Sequence, residues 1–194
     1  MGAGMDAEQD FSHLPPAPPE GFWVFAYGSL MWRPGFAFAE RRMARLPGFR
    51  RSFCLRSVRY RGTPEAPGLV LGLDADPGAA CEGVAYRVGP GDDPAGALRY
   101  LRERELVTYA YLEATHEATL EDGRRVGALC YVVDRAHRQY AGGLDPAAQA
   151  AVIARAEGPA GTNLDYLRAT LAHLRELGVE DPELARVAAL TGAG

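Results

Sequence analysis

The chain contains no lysine: all 21 of its basic side chains are arginine. That excludes Schiff-base lysine chemistry and a P-loop, whose motif needs a lysine. Cysteine is scarce too. Cys54, Cys81 and Cys130 are odd in number and form no Cys-x-x-Cys pair. Each sits in an apolar or alternating stretch, so they read as small buried thiols. No neighbour suited to activating a thiol stands beside them. The histidines His13, His116, His137 and His173 are scattered and no zinc spacing occurs. Asp74-Ala75-Asp76 before Pro77-Gly78 reads as a turn, not as a calcium loop. No metal is expected. No Gly-x-Gly-x-x-Gly or Walker motif is present, so no nucleotide cofactor is implied. No apolar run approaches the roughly 18 residues of a membrane-spanning helix. The opening MGAGMDAEQD lacks the basic and apolar regions of a signal peptide, so a cytoplasmic protein without membrane contact is expected. A net charge of −4 gives no general attraction to nucleic acid.

What remains is a chain of 194 residues, enough for one domain with its own core. Residues 1–20 contain PPAPPEG and little periodicity and are expected to form a flexible tail; a single domain is expected over 21–191. Strands are predicted at Phe22 to Tyr27, at Arg51 to Tyr60 as a half-exposed strand, at Gly68 to Leu73 and at Cys81 to Val88. Ala114 to Leu120 and Val126 to Val133 flank an Asp-Gly and predict a hairpin. A helix is predicted from Ala95 to about Leu106. Asp145-Pro146 opens a second, running to Gly158. Thr162 or Asn163 caps a long amphipathic third, closed by Gly178, and Asp181-Pro182 opens the last. Strands concentrate before residue 134 and most helices follow. The pattern predicts an α+β fold with a mainly antiparallel or mixed sheet, open or closed into a small barrel.

Three constellations could carry chemistry. In ALRYLRERELV, Leu98, Leu101 and Glu105 fall on one helical face, where Glu105 stands in place of a leucine. A carboxylate aimed at a core is costly unless paired or used, and burial raises its pKa into the range of a general acid/base. The alternative is a rim position, with Glu105 paired to Arg102 one turn back. Second, a strand ends in Tyr27-Gly28-Ser29-Leu30. That turn is either ordinary or a nest of backbone N–H groups for a carboxylate or oxyanion. Ser29 is in no Gly-x-Ser-x-Gly elbow and is not read as a nucleophile. Third, Arg41, Arg42, Arg45, Arg50, Arg51, Arg56, Arg59 and Arg61 crowd one segment. With an acidic net charge they read as a solvated strand face plus one or two arginines facing a small anion, rather than as a nucleic-acid stripe. Arg61, beside a Gly/Pro-rich loop, is the candidate.

The segments VFAYGSLMWRP, RGTPEAPGLVLGL, EGVAYRV, RERELVTYAY, ALCYVVDRAHRQYAGGL and AEGPAGTNLDYL occur in this order. Together they resemble the ChaC family of γ-glutamylcyclotransferases, from about Phe22 to Leu190. The resemblance implies a small mixed β-barrel with flanking helices. It implies cleavage of glutathione to 5-oxoproline and Cys-Gly without metal or cofactor, with a small molecule as the substrate. It also implies that Tyr27, Gly28, Ser29 and Leu30 hold the γ-glutamyl end and that Glu105, after Arg104, is the catalytic glutamate. Other γ-glutamyl amides or dipeptides would fit the same residues; a non-enzymatic regulator linked to cation transport would leave the pocket vestigial. Two positions depart from the family's habit: Ala110 stands where glycine is common before Tyr111, and Tyr60 where histidine is common. Both are expected to reshape the far end of the pocket.

Overall fold

The computed structural model describes residues 10–192. The apolar run FWVFA forms β1, Phe22–Ala26, with its last three residues buried. A single 3₁₀ turn, Ser29–Met31, follows it. β2, Glu40–Ser57, and β3, Gly68–Val88, form one long antiparallel ribbon, joined by the connection 58–67. α1, Pro94–Glu105, leads to the hairpin of β4, Tyr111–Leu120, and β5, Arg125–Val133. Gly123, at φ 88°, supplies the left-handed residue this tight turn needs. β5 lies parallel to β1 and closes the sheet into a barrel in the order β1-β3-β2-β4-β5. The sheet is mixed and the fold α+β.

The remaining elements pack outside. They are α2, Pro146–Ile153, a small hairpin of β6, Glu157–Gly158, and β7, Gly161–Thr162, then α3, Asn163–Glu176, and α4, Pro182–Thr191. Three helices open on Asp-Pro. Asp93, Asp145 and Asp181 each accept the backbone N–H three residues on, at 3.1, 2.8 and 3.1 Å, and proline takes the position whose N–H would go unused. Thr162 caps α3 in the same way, at 3.1 Å, and Gly178 follows its end at φ 70°.

Three expectations need correction. Arg51 to Tyr60 is not a separate half-exposed strand. It is the second half of β2, which ends at Ser57, and residues 51–55 are all buried. Both faces of that stretch are covered. The barrel and the start of α4 cover it: Arg51 meets Asp181 and Ser52 meets Glu183. Gly68–Leu73 and Cys81–Val88 are parts of one strand. The Asp74–Gly78 segment between them is a bulge, because Pro47 pairs with Ala80 while Phe49 pairs with Ala75. Asp74 does not turn the chain. Its carboxylate is 1% exposed and is held by Arg135 at 2.7 Å and the Tyr140 hydroxyl at 3.2 Å. α2 stops at Ile153, short of Gly158, because residues 157–162 form the β6–β7 hairpin.

Of the expected tail, residues 1–9 lie outside the described residues. Phe11 and Leu14 pack against the core, and the Pro15 carbonyl accepts a hydrogen bond from Arg102 at 2.7 Å.

Arg51 is the most confined charge in the chain's arginine-rich segment, 4% exposed. It donates from Nε to the Tyr27 carbonyl, from Nη2 to the Glu82 carbonyl at 2.6 Å, and from Nη1 to Asp181 Oδ2 at 2.9 Å. Removing one member of such a buried pair costs about 3–5 kcal/mol, because the other is left unpaired. Arg51→Ala is therefore expected to lower the melting temperature by roughly 10 °C for a domain of this size. The same change at exposed Arg45 should leave it nearly unmoved. Thermal unfolding followed by circular dichroism distinguishes the two.

Candidate functional site

Two joined chambers open at one end of the barrel. The inner one, about 70 Å³, is lined by Tyr27, Gly28, Ser29, Leu30, Leu71 and the tyrosines 111, 131 and 166, among others. The outer one, about 420 Å³, is lined by residues 55–61 at the end of β2 and in the connection after it, by Val107, Thr108, Ala110 and Tyr111, and by Gln139 and Ala160. Ser29, Val70, Glu105, Tyr111 and Tyr166 line both and so form the neck between them.

The structure brings the predicted residues together here. β1 delivers Tyr27 to the barrel mouth, and Arg51 grips its carbonyl from behind. The chain then folds into the 3₁₀ turn. Leu30 and Met31 point into the core, at 7% and 2% exposure. The Gly28 carbonyl accepts from Met31 and the Ser29 carbonyl from Arg33, both at 2.9 Å. The N–H groups of Ser29 and Leu30 open the turn, and donors at a helix start lack an internal partner. Gly28 has room: a Cβ there would meet only Leu71 Cδ1, at 3.9 Å. Its bare backbone is therefore accessible from the inner chamber.

Glu105 is the last residue of α1 and lies on the face of Leu98 and Leu101, as the helical pattern predicts. Its side chain is 16% exposed. Among the described residues it is the only carboxylate in either chamber. Burial pushes its pKa up to about 7, and Arg104 opposes that shift. The C-terminal end of a helix also disfavours negative charge. Arg102 is not its partner. Arg102 is committed to Glu113, at 2.6 and 2.9 Å.

The partner of Glu105 is instead its chain neighbour, Arg104. Its Nε lies 3.3 Å from Glu105 Oε1. Its Nη2 donates to Ser29 Oγ at 2.8 Å, and its Nη1 donates to the Arg33 carbonyl at 2.7 Å and the Tyr100 hydroxyl at 2.9 Å. Arg104 thus ties the turn after β1 to the buried carboxylate.

Four tyrosines complete the inner chamber, and the pattern reading assigned a role only to Tyr27. Tyr27 donates to the Tyr111 hydroxyl, which donates to the Leu71 carbonyl at 2.8 Å. Tyr131 donates to Glu113 at 3.1 Å. Burial raises the pKa of all four, that of Tyr166 to about 12, so they stay neutral. Arg61 lies 5.3 Å over the Tyr166 ring and donates to the Thr162 carbonyl at 3.3 Å. It reaches the outer chamber but does not line the inner one. Arg56 and Arg59 line the outer chamber with it, whereas Arg51 is spent inside the fold.

Among the described residues no three His, Cys, Asp or Glu side chains cluster as metal ligands, and no helix is long and apolar enough to cross a membrane.

The chain has close relatives. A family model described as ChaC-like protein matches residues 22–192. The glutathione-specific gamma-glutamylcyclotransferase of Escherichia coli (strain K12) is 40% identical over 168 residues, 86% of this chain and 71% of that protein. Gamma-glutamylcyclotransferase 2-3 of Arabidopsis thaliana is 33% identical over 171 residues, 86% of each chain. The crystal structure of a yeast gamma-glutamyl cyclotransferase specific to glutathione shares the fold, with a TM-score of 0.78. It covers 90% of this chain and 97% of its own, at 23% identity.

Titration of the Glu105 carboxyl carbon by NMR should show a midpoint near 7. In Arg104→Gln the midpoint should move higher, because the opposing positive charge is gone. A midpoint in the ordinary glutamate range would contradict the burial.

Proposed function

The chain belongs to the ChaC-like family, and we propose that it cleaves glutathione by internal cyclisation, releasing 5-oxoproline and cysteinylglycine in the cytoplasm. The observation that carries the reading is one buried carboxylate at the neck of two chambers, with its pKa pushed up to about 7.

In this reaction the substrate's α-amino nitrogen attacks its own γ-carbonyl carbon. The new C–N bond closes a five-membered ring, and the amide C–N bond to the dipeptide breaks. No nucleophile is needed from the protein. The protein must fold the γ-glutamyl chain onto itself, and well-oriented internal attack is worth up to roughly 7–11 kcal/mol. The inner chamber would take the γ-glutamyl group and the outer chamber the dipeptide. The scissile amide then lies at the neck, beside Glu105.

Two proton movements remain. The α-amine is protonated at neutral pH and cannot attack in that form. Glu105, ionised, takes that proton. The resulting carboxylic acid gives a proton to the departing nitrogen. One group serves both steps because its pKa lies near the working pH. The N–H groups of the Gly28-Ser29-Leu30 turn would hold the α-carboxylate or the oxyanion that develops on the γ-carbonyl. One such donor is typically worth 10²–10³-fold in rate. Arg104 keeps the turn and the carboxylate in register.

Glu105→Gln should fold normally and lose turnover by at least about 10³-fold, measured by mass spectrometry of both products; near-normal turnover would sink the assignment. Stability should move the other way. The carboxyl of Glu105 has a folded pKa of about 7 against an ordinary 4.5. The stabilisation this carries is complete below about 4.5 and is lost as pH rises through about 7. Glutamine does not ionise, so at pH 8 the variant should be more stable by about 3 kcal/mol, a difference that vanishes near pH 4. Wild-type kcat/KM should accordingly fall as pH drops below about 7, a dependence that pH-rate profiles measure directly.

A further inference from the structure

The outer chamber has an uneven charge. Arg56, Arg59, Arg61 and Arg104 line it against the single carboxylate of Glu105, in a protein whose net charge is −4. Arg104 is used at the neck. Among the described residues the guanidinium groups of Arg56 and Arg59 make no ion pair or hydrogen bond. Arg61 meets only a carbonyl and an aromatic face. Three cations from one short segment thus face the same space without a counter-charge. Clustering of one sign in a cleft focuses the field and favours an anionic ligand.

The segment that carries them is fastened. The Arg56 N–H donates to the Gln139 carbonyl at 2.8 Å, and Gln139 Nε2 donates back to the Arg56 carbonyl at 2.9 Å. The Arg61 N–H donates to Ser57 Oγ at 3.0 Å, and the Tyr60 carbonyl accepts from Ala160 at 2.9 Å. Gly158 packs so closely on this loop that a Cβ there would sit 2.5 Å from the Gly62 nitrogen and the Tyr60 oxygen. The backbone beneath the three arginines is therefore held before any ligand arrives.

On the reading above, the scissile amide lies beside Glu105 and the leaving dipeptide extends outward. Its terminal carboxylate is two residues beyond the bond that breaks, about 7 Å when extended. We propose that Arg56, Arg59 and Arg61 form an anion-reading mouth that selects γ-glutamyl peptides ending in a free carboxylate over the corresponding amides. Arg56 and Arg59 supply the charge, and Arg61, stacked on Tyr166, joins the mouth to the neck. This rests on the cyclotransferase reading and adds the chemical feature of the substrate that the enzyme selects at its far end.

The test compares kcat/KM for glutathione and for glutathione amidated at its glycine carboxylate. Wild type should prefer the acid by about 10-fold, mostly in KM, since an exposed guanidinium–carboxylate contact contributes to binding more than to chemistry. Raising ionic strength should shrink the preference. In Arg56→Ala/Arg59→Ala the two substrates should come within about two-fold of each other, with an unchanged melting temperature, and Arg59→Lys in place of Arg59→Ala should restore part of the gap. Equal wild-type rates on acid and amide would overturn the inference while leaving the cyclotransferase reading intact. A preference that survives the double substitution would overturn the assignment to these residues. Absence of turnover on both compounds would sink the cyclotransferase reading, and this inference with it.

Discussion

The site depends on one buried guanidinium. Arg51 is a full charge at 4% exposure, and only its hydrogen bonds make that tolerable. Those bonds reach three parts of the chain: the Tyr27 carbonyl after β1, the Glu82 carbonyl in β3, and Asp181 at the start of α4. Asp181 is also the cap of α4, since its other oxygen accepts from Leu184. None of these partners can shift without leaving a charge or a helix end unsatisfied. The turn at Gly28–Leu30 begins one residue after the grip on Tyr27. Its backbone is therefore fixed by the core and not by the ligand it would hold. Groups held in place beforehand need no reorganisation when charge develops beside them.

The second constraint is electrostatic, and magnitudes decide it. A neighbouring arginine can lower a carboxylate pKa by one to three units, while burial can raise it by as much or more. At Glu105 burial wins. Arg104 is a weak opponent because its charge is divided: it serves Ser29, the Arg33 carbonyl and Tyr100 as well, and its side chain is 24% exposed. The tyrosines around the inner chamber add polarity without charge, each phenol held neutral. The outcome is a carboxyl whose pKa is pushed up to about 7, among phenols that stay neutral.

Much of this was legible in the sequence, for identifiable reasons. Helix starts were, because Asp-Pro and the Thr162 cap are local chemistry. Glu105 was, because a carboxylate on a leucine face is an anomaly that a 3.6-residue period exposes. Arg51 was not. An alternating stretch reads as one wet face, and only α4, some 130 residues later, dries it. The bulge at Asp74–Gly78 read as a turn because its Asp, Pro and Gly are turn residues; the carboxylate is instead consumed by Arg135 and Tyr140. Tyr131 was hidden within an apolar strand. Asn163 was read only as an alternative helix cap. Its fully buried side chain brackets the Leu69 N–H and carbonyl at 2.6 and 2.7 Å, fastening α3 to the start of β3 and so bringing Tyr166 to the neck. Long-range pairing of this kind leaves no periodic trace.

The two chambers also differ in how they are built, and that difference bears on what can vary. The inner one is made by the end of β1, the strands β3, β4 and β5, and helices α1 and α3, with Tyr111 held by the Leu71 carbonyl and Tyr131 by Glu113. The outer one is made in part by the end of β2 and in part by connections, through residues 58–61, Val107, Thr108 and Ala110, with Gln139 and Ala160. Connections on a rigid scaffold accept substitution more readily than the scaffold does. Tyr60 and Ala110, where the resemblance leads one to expect histidine and glycine, both line the outer chamber and neither lines the inner one. Tyr109, between Glu105 and Ala110 in the chain, even holds a left-handed backbone at φ 54° without being glycine. The chemistry of cyclisation depends only on the γ-glutamyl group, so the barrel can keep it unchanged. Discrimination among leaving groups would fall to the mouth, where Arg56 stands at the end of β2 and Arg59 and Arg61 in the connection after it. It can therefore be retuned at the mouth without disturbing the carboxylate at the neck.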